Sequence, residues 1–106
     1  MEFATPERIE QIREQLSEEN PEAVLFDDCD RALIGGGRQW GSPPLAVYSY
    51  TLLIKVFMDL FAQDYEDEEE YDPYTAACEW VGHNVECMYV GEGTPIIVQD
   101  WGLEDI

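Results

Sequence analysis

Leu45-Ala46-Val47-Tyr48-Ser49-Tyr50-Thr51-Leu52-Leu53-Ile54-Lys55-Val56-Phe57-Met58-Asp59-Leu60-Phe61 is the stretch whose reading decides the fold. Leu45 to Tyr48 predicts a short buried strand. Ser49 stands where a helix cap is wanted, and a helix over about residues 50–62 follows. Eight of the eleven residues from Thr51 to Phe61 are apolar, so this helix is apolar around most of its circumference and needs cover on most sides. Leu53, Phe57 and Phe61 are its candidate packing residues. They are expected either in the core of this chain or against a second copy of it.

Outward towards the N-terminus, Ser42-Pro43-Pro44 and the run Gly35-Gly36-Gly37-Arg38-Gln39-Trp40-Gly41 predict a flexible loop. Ala23-Val24-Leu25-Phe26 predicts a buried strand that ends at the turn-forming Asp27-Asp28. Before it, Thr5 as cap, Pro6 at the first helical position and Glu7 in the first turn announce a helix. Ile9, Ile12 and Leu16 lie on its buried stripe, and Asn20-Pro21 stops it. Outward towards the C-terminus, Asp72-Pro73 opens another helix, with Ala76, Ala77, Trp80 and Val81 on one side. Cys87 to Val90 and Ile96 to Val98 are strand candidates around Gly91-Glu92-Gly93-Thr94-Pro95. Either they form a hairpin or only the second joins the sheet. The expected fold is α+β: one small domain over 1–106, with about three helices on a sheet of three or four short strands. Residues 1–4 and 100–106 are expected to be flexible ends.

The order of these segments resembles small uncharacterised proteins of bacteriophages and bacteria. The likeness rests on Asp30-x-Ala32-Leu33-Ile34-Gly35 and on Ala46-Val47-Tyr48-x-Tyr50 opening the apolar helix. It continues in Ala77-x-Glu79-Trp80-Val81-x-x-Asn84-Val85 and in Tyr89-Val90-Gly91-x-x-Thr94-Pro95, covering roughly residues 24–98. It implies an accessory protein with no established reaction and no agreed site. Where such relatives carry Asp before the second helix, this chain has Ser49.

Charge is the second strong signal. The net charge is −19, from 24 acids against 5 Lys and Arg. Self-repulsion on that scale opposes compaction, so it implies solubility, high salt or a basic partner. It also argues against direct binding to nucleic acid or anionic lipid, which requires a basic footprint. Between Arg31 and Met58 there is no acid, while 14 acids and no Lys or Arg lie from Asp59 onward. Uniform adaptation to a salty cytoplasm would scatter acids over the whole surface. Seven of the nine residues from Asp64 to Asp72 are acidic. Like charges three and four apart cost a helix roughly 0.2–0.5 kcal/mol per pair, so this tract is expected as a loop or frayed turn. Duplex DNA carries one negative charge per ~1.7 Å of axis, and carboxylates at comparable density can occupy a site built for it. Glu66, Asp67, Glu68, Glu69, Glu70 and Asp72 are the leading candidate partner contacts, with Tyr65 and Tyr71 as aromatic anchors.

Catalytic and metal motifs are weak. His83 is the sole histidine. On a helix Cys78 and His83 point about 140° apart, and Cys87 lies beyond the helix end. Asp27, Asp28 and Asp30 lack the spacing of a calcium loop, and the glycine run leads into no helix, as a phosphate cradle would. Ser42 has no nucleophile elbow. No catalytic residue, metal or cofactor is assigned. Three cysteines without a C-x-x-C pair imply free thiols in a reducing cytoplasm. The start of the chain lacks the pattern of a secretory signal, and Leu52 to Phe61 falls short of the ~20 residues of a membrane span. The leading expectation is a non-enzymatic inhibitor or adaptor that offers an acidic surface to a basic protein partner, in its sharpest form a DNA-mimicking anti-CRISPR or anti-restriction factor. The competing expectation is an accessory domain, halophilic or not, that associates as a homodimer through helix 51–61.

Overall fold

Thr5 opens α1 (Pro6–Glu19) as its sequence requires, accepting the Arg8 N–H on its hydroxyl at 3.2 Å. In the computed structural model, which describes residues 2–64 and 72–102, the helix buries Ile9, Ile12 and Leu16. Asn20 ends it. The Asn20 amide donates to the Pro44 carbonyl at 2.9 Å and its side-chain oxygen accepts the Glu22 N–H at 3.2 Å, so a buried polar residue is satisfied at the helix stop.

Strand β1 (Leu33–Gly37) pairs antiparallel with β2 (Leu45–Ser49). The three glycines therefore belong to a strand, not to the flexible loop that composition predicts. Chain pairing supplies what propensity does not: Gly35, Gly36 and Gly37 stand opposite Val47, Ala46 and Leu45. A bulge lies between Leu33 and Gly35. Side chains alternate across β2, with Ala46 and Tyr48 buried inward and Leu45 and Val47 half-buried outward.

From β2 the chain runs through Ser49 into α2 (Tyr50–Asp64), and then through α3 (Pro73–Asn84). It returns to β3 (Ile96–Val98), which pairs parallel with β2 to give the order β1-β2-β3. A parallel neighbour requires a crossover, and the two helices provide it. α2 packs most extensively on α3. Leu52, Leu53, Ile54, Val56 and Phe57 are all buried, joined in one core by the inward residues of the sheet and by α1. Phe61 packs at the margin of this core, where Phe57, Phe61 and Trp80 form a ring cluster with centroids about 6 Å apart. The chain itself thus covers most of the apolar circumference of α2, Leu53 and Phe57 included, while Leu60 stays exposed and Met58 and Phe61 are half-buried.

Two further expectations are corrected. Ala23–Phe26 is not a strand. It runs extended beside the sheet, held by Val24 N–H to the Gly93 carbonyl at 3.0 Å and by Phe26 N–H to the Tyr48 hydroxyl at 3.0 Å. Cys87–Val90 forms no strand either, so of the two candidates only Ile96–Val98 joins the sheet. Among the described residues, no helix is long and apolar enough to cross a membrane.

Candidate functional site

Of the acidic tract nominated from sequence, Tyr65, Glu66, Asp67, Glu68, Glu69, Glu70 and Tyr71 lie outside the described residues. Asp72 is described, and it is occupied: its carboxylate caps α3, accepting the Tyr74 N–H at 3.1 Å and the Thr75 hydroxyl at 2.6 Å. Those hydrogen bonds, led by Thr75, hold it below the usual carboxylate range.

The other described acids are displayed openly. Glu7, Glu10, Glu14 and Glu18 on α1, Asp27 and Asp28 in the following turn, and Glu79, Glu86 and Glu92 further on are all exposed. Ion pairs among the described residues join only Arg13 to Asp30 at 2.6 Å and Arg31 to Asp59 at 3.2 Å. Arg31 also lies 4.5 Å from the centre of the Phe3 ring, with Lys55 at 5.0 Å from it. Most carboxylates of these helices and turns thus face water without a cation beside them.

The sheet side is different. The three strands contain no acid, and the acid-free interval surfaces there: Ile34, Gly36 and Arg38 through Pro43 are exposed. The helices gather on the inward face, and the outward face keeps Ile96 and Val98 exposed. A groove of about 560 Å³ crosses this side, with Leu45 and Ile96 between the loops bearing Pro43 and Tyr89. Trp40 stands beside it in a tight turn closed by Ser42 N–H to the Gln39 carbonyl at 3.0 Å. Gly41 takes the third position at φ +84°, a left-handed conformation that favours glycine. The turn presents Trp40 at 98% exposure, and Tyr89 is 77% exposed. Exposed aromatics around an apolar floor are the composition of contact surfaces. The Trp40-Gly41-Ser42 signal for the turn was present in the sequence. That the ends of this turn, Gln39 and Ser42, share a groove with Ile96 was not.

A second groove of about 560 Å³ runs between α1 and β1. Arg8, Gln11, Ile12, Gln15, Leu16 and Glu19 line one wall, and Gly35, Gly36, Gly37 and Arg38 the other.

The weak chemical candidates remain dispersed. His83 is exposed at the end of α3, where it faces the negative pole of the helix. Cys78 is half-buried, and the exposed Cys87 thiol donates to the Gly82 carbonyl. Asp27 and Asp28 are exposed while Asp30 is paired with Arg13. No group of three or more His, Cys, Asp or Glu among the described residues is arranged to hold a metal ion.

Asp100 is the functional group that sequence reading overlooked. Expected in a loose tail, it is instead clamped to the start of α2. Its carboxylate accepts from the Ser49 hydroxyl, from the Thr51 N–H at 3.1 Å and from the Thr51 hydroxyl at 2.6 Å, while Gly102 N–H donates to Thr51 Oγ1 at 3.0 Å. Ser49 at the same time accepts the Leu52 N–H at 3.1 Å as the predicted cap. No nearby sequence signal joins residues fifty positions apart.

Compared with protein-family models, curated proteins and solved structures, the chain matches none.

Proposed function

We propose that this chain is a non-enzymatic binding protein whose exposed carboxylates engage a basic protein surface, in the sharpest form one that a restriction or CRISPR system uses to hold nucleic acid. The observation that carries this reading is the division of the surface. Carboxylates outside the two ion pairs line α1 and the turns, while the three strands hold no acid and the sheet-side groove, with Glu92 as its one lining acid, lies beside exposed Trp40, Tyr89 and Ile96. A uniform salt-adapted coat would not spare an exposed segment such as Ile34–Pro43. A concentrated field of one sign accelerates encounter with an oppositely charged partner, and exposed aromatics supply the close contact once it is made. Free thiols fit a reducing cytoplasm.

The test is displacement of labelled duplex DNA from purified restriction and CRISPR effector complexes. Displacement should be strong at 50 mM salt, fall steeply by 200 mM, and weaken when Glu68, Glu69 and Glu70 become Gln. Failure to displace DNA from any of them at 50 mM salt refutes the mimicry.

The competing reading, an accessory domain that associates through apolar surface, has exposed Leu60 on α2 to draw on, and Ile96, Val98 and Trp40 on the sheet side. Such association would be indifferent to salt, lost in Leu60→Ala if α2 leads it and in Trp40→Ala if the sheet side does.

A further inference from the structure

We propose that the groove between α1 and β1 binds an extended, carboxylate-bearing peptide of a partner by strand addition to the free edge of β1. This goes beyond the acidic-surface reading and does not depend on it.

Sheet order makes β1 an edge strand. With β2 on one side only, alternate backbone N–H and C=O groups of β1 point away from the sheet, and such an edge is a template for another strand. Native chains commonly blunt an edge with charges, proline or a covering element. Here the edge residues are Gly35, Gly36 and Gly37, and no described backbone group outside the sheet bonds to them.

All three consecutive glycines line the groove. Successive strand residues face opposite sides, so a cavity touching all three runs along the edge itself. The glycines also set its width. A Cβ on Gly36 would lie 3.3 Å from Leu16 Cδ2, and one on Gly35 would meet nothing within 4 Å. The result is a slot with a backbone rail on one wall and Ile12 and Leu16 on the other. It has the two components of peptide recognition by strand addition: main-chain hydrogen bonds, and contacts for alternate side chains. β1 has five residues, about 17 Å at a strand's rise, which sets the length of the occupant.

Charge selects the kind of peptide. Arg8 and Arg38 line this groove, and neither makes an ion pair among the described residues. Against them the lining holds one acid, Glu19, so the slot is locally cationic on a chain of net charge −19. At physiological ionic strength the Debye length is about 8 Å, which screens the occupant from distant carboxylates more than from the two guanidinium groups beside it. Planar guanidinium groups are suited to carboxylates.

The experiment uses a fluorescein-labelled heptapeptide of alternating Thr and Val with a central Glu, and the same peptide with Lys at the centre. Anisotropy should show binding of the Glu peptide, weakened about tenfold by Arg8→Gln and again by Arg38→Gln. Both residues are exposed, so circular dichroism should remain unchanged. Amide exchange should slow at outward N–H groups within Gly35–Gly37 when the peptide is present. Equal or tighter binding of the Lys peptide overturns the proposal, as does binding that perturbs Leu45 and Ile96 instead of the glycines. Binding of neither peptide at millimolar concentration overturns it too. Self-association of the free chain that Arg38→Gln abolishes would give the groove to a second copy, and would also overturn it.

Discussion

Replacing Asp100 with Asn removes a charge and leaves the shape. Asp100 accepts from the Ser49 hydroxyl, the Thr51 N–H and the Thr51 hydroxyl, and Ser49 and Thr51 are both fully buried. In the variant an amide oxygen can take only part of this set, and its NH₂ group faces donors. A buried donor left without a partner costs about 1–3 kcal/mol, so one or two such losses total roughly 1–6 kcal/mol. For a domain of this size each kcal/mol lost is a fall of about 4–8 °C in Tm. Burial pushes the Asp100 carboxyl up, but the hydrogen bonds from Ser49 and Thr51 outweigh it and hold it below its ordinary value of 3.8. The stability it contributes is therefore fully present above pH 3.8 and is lost as pH falls through the lower folded-state value. Urea melts of wild type and Asp100→Asn should differ by the full amount at pH 7, and by progressively less in acid below pH 3.8. A difference under about 0.5 kcal/mol at pH 7, the scale of an ordinary surface substitution, would refute the clamp. So would a difference that grows on acidification.

Two glycines should respond in opposite senses to Ala. At Gly93 a Cβ would run into the backbone carbonyl of Glu22, so Gly93→Ala should destabilise by about 1–3 kcal/mol in denaturant melts. At Gly82, within α3, a Cβ meets nothing within 4 Å, and Gly82→Ala should stabilise by about 0.5–1 kcal/mol. Burial, with Asp28, Asp30 and Asp27 adding repulsion, pushes the Cys29 thiol up to about 11. A disulfide reagent at pH 8 should therefore label exposed Cys87 quickly, and Cys29 only after unfolding. Tyr48→Phe deprives the buried Phe26 N–H of its acceptor and should cost about 1–3 kcal/mol in the same melts.

Much of the architecture could be read because local chemistry and tertiary demand agree. Thr5-Pro6 and Asp72-Pro73 cap the helices they were expected to cap, and Ser49 marks the passage from β2 into α2. Reading failed where pairing overrode local preference. Gly35–Gly37 has no strand propensity, and only Val47, Ala46 and Leu45 opposite make it β1. Ala23–Phe26 has the composition of a strand, yet its bonds go to the Tyr48 hydroxyl and the Gly93 carbonyl, not to a ladder. The candidate site was legible as charge and not as place. Composition exposes the acid-free interval, but only the fold brings Gln39 and Ser42, the ends of the Trp40 turn, into one groove with Ile96, and Arg8 into one groove with Gly36. Asp100 was invisible for the same reason, since its partners lie fifty residues away.

The stance of the tryptophans has an optical consequence. Trp40 and Trp101 stand almost wholly in water, and Trp80 is 45% exposed. Indole emission from the native chain should already sit close to the hydrated, red end of its range. Denaturation would then change its colour little, making this signal a poor thermometer of folding. The same arrangement makes it a sensitive detector of company: any molecule that dries Trp40 should shift the emission to the blue without a label being attached.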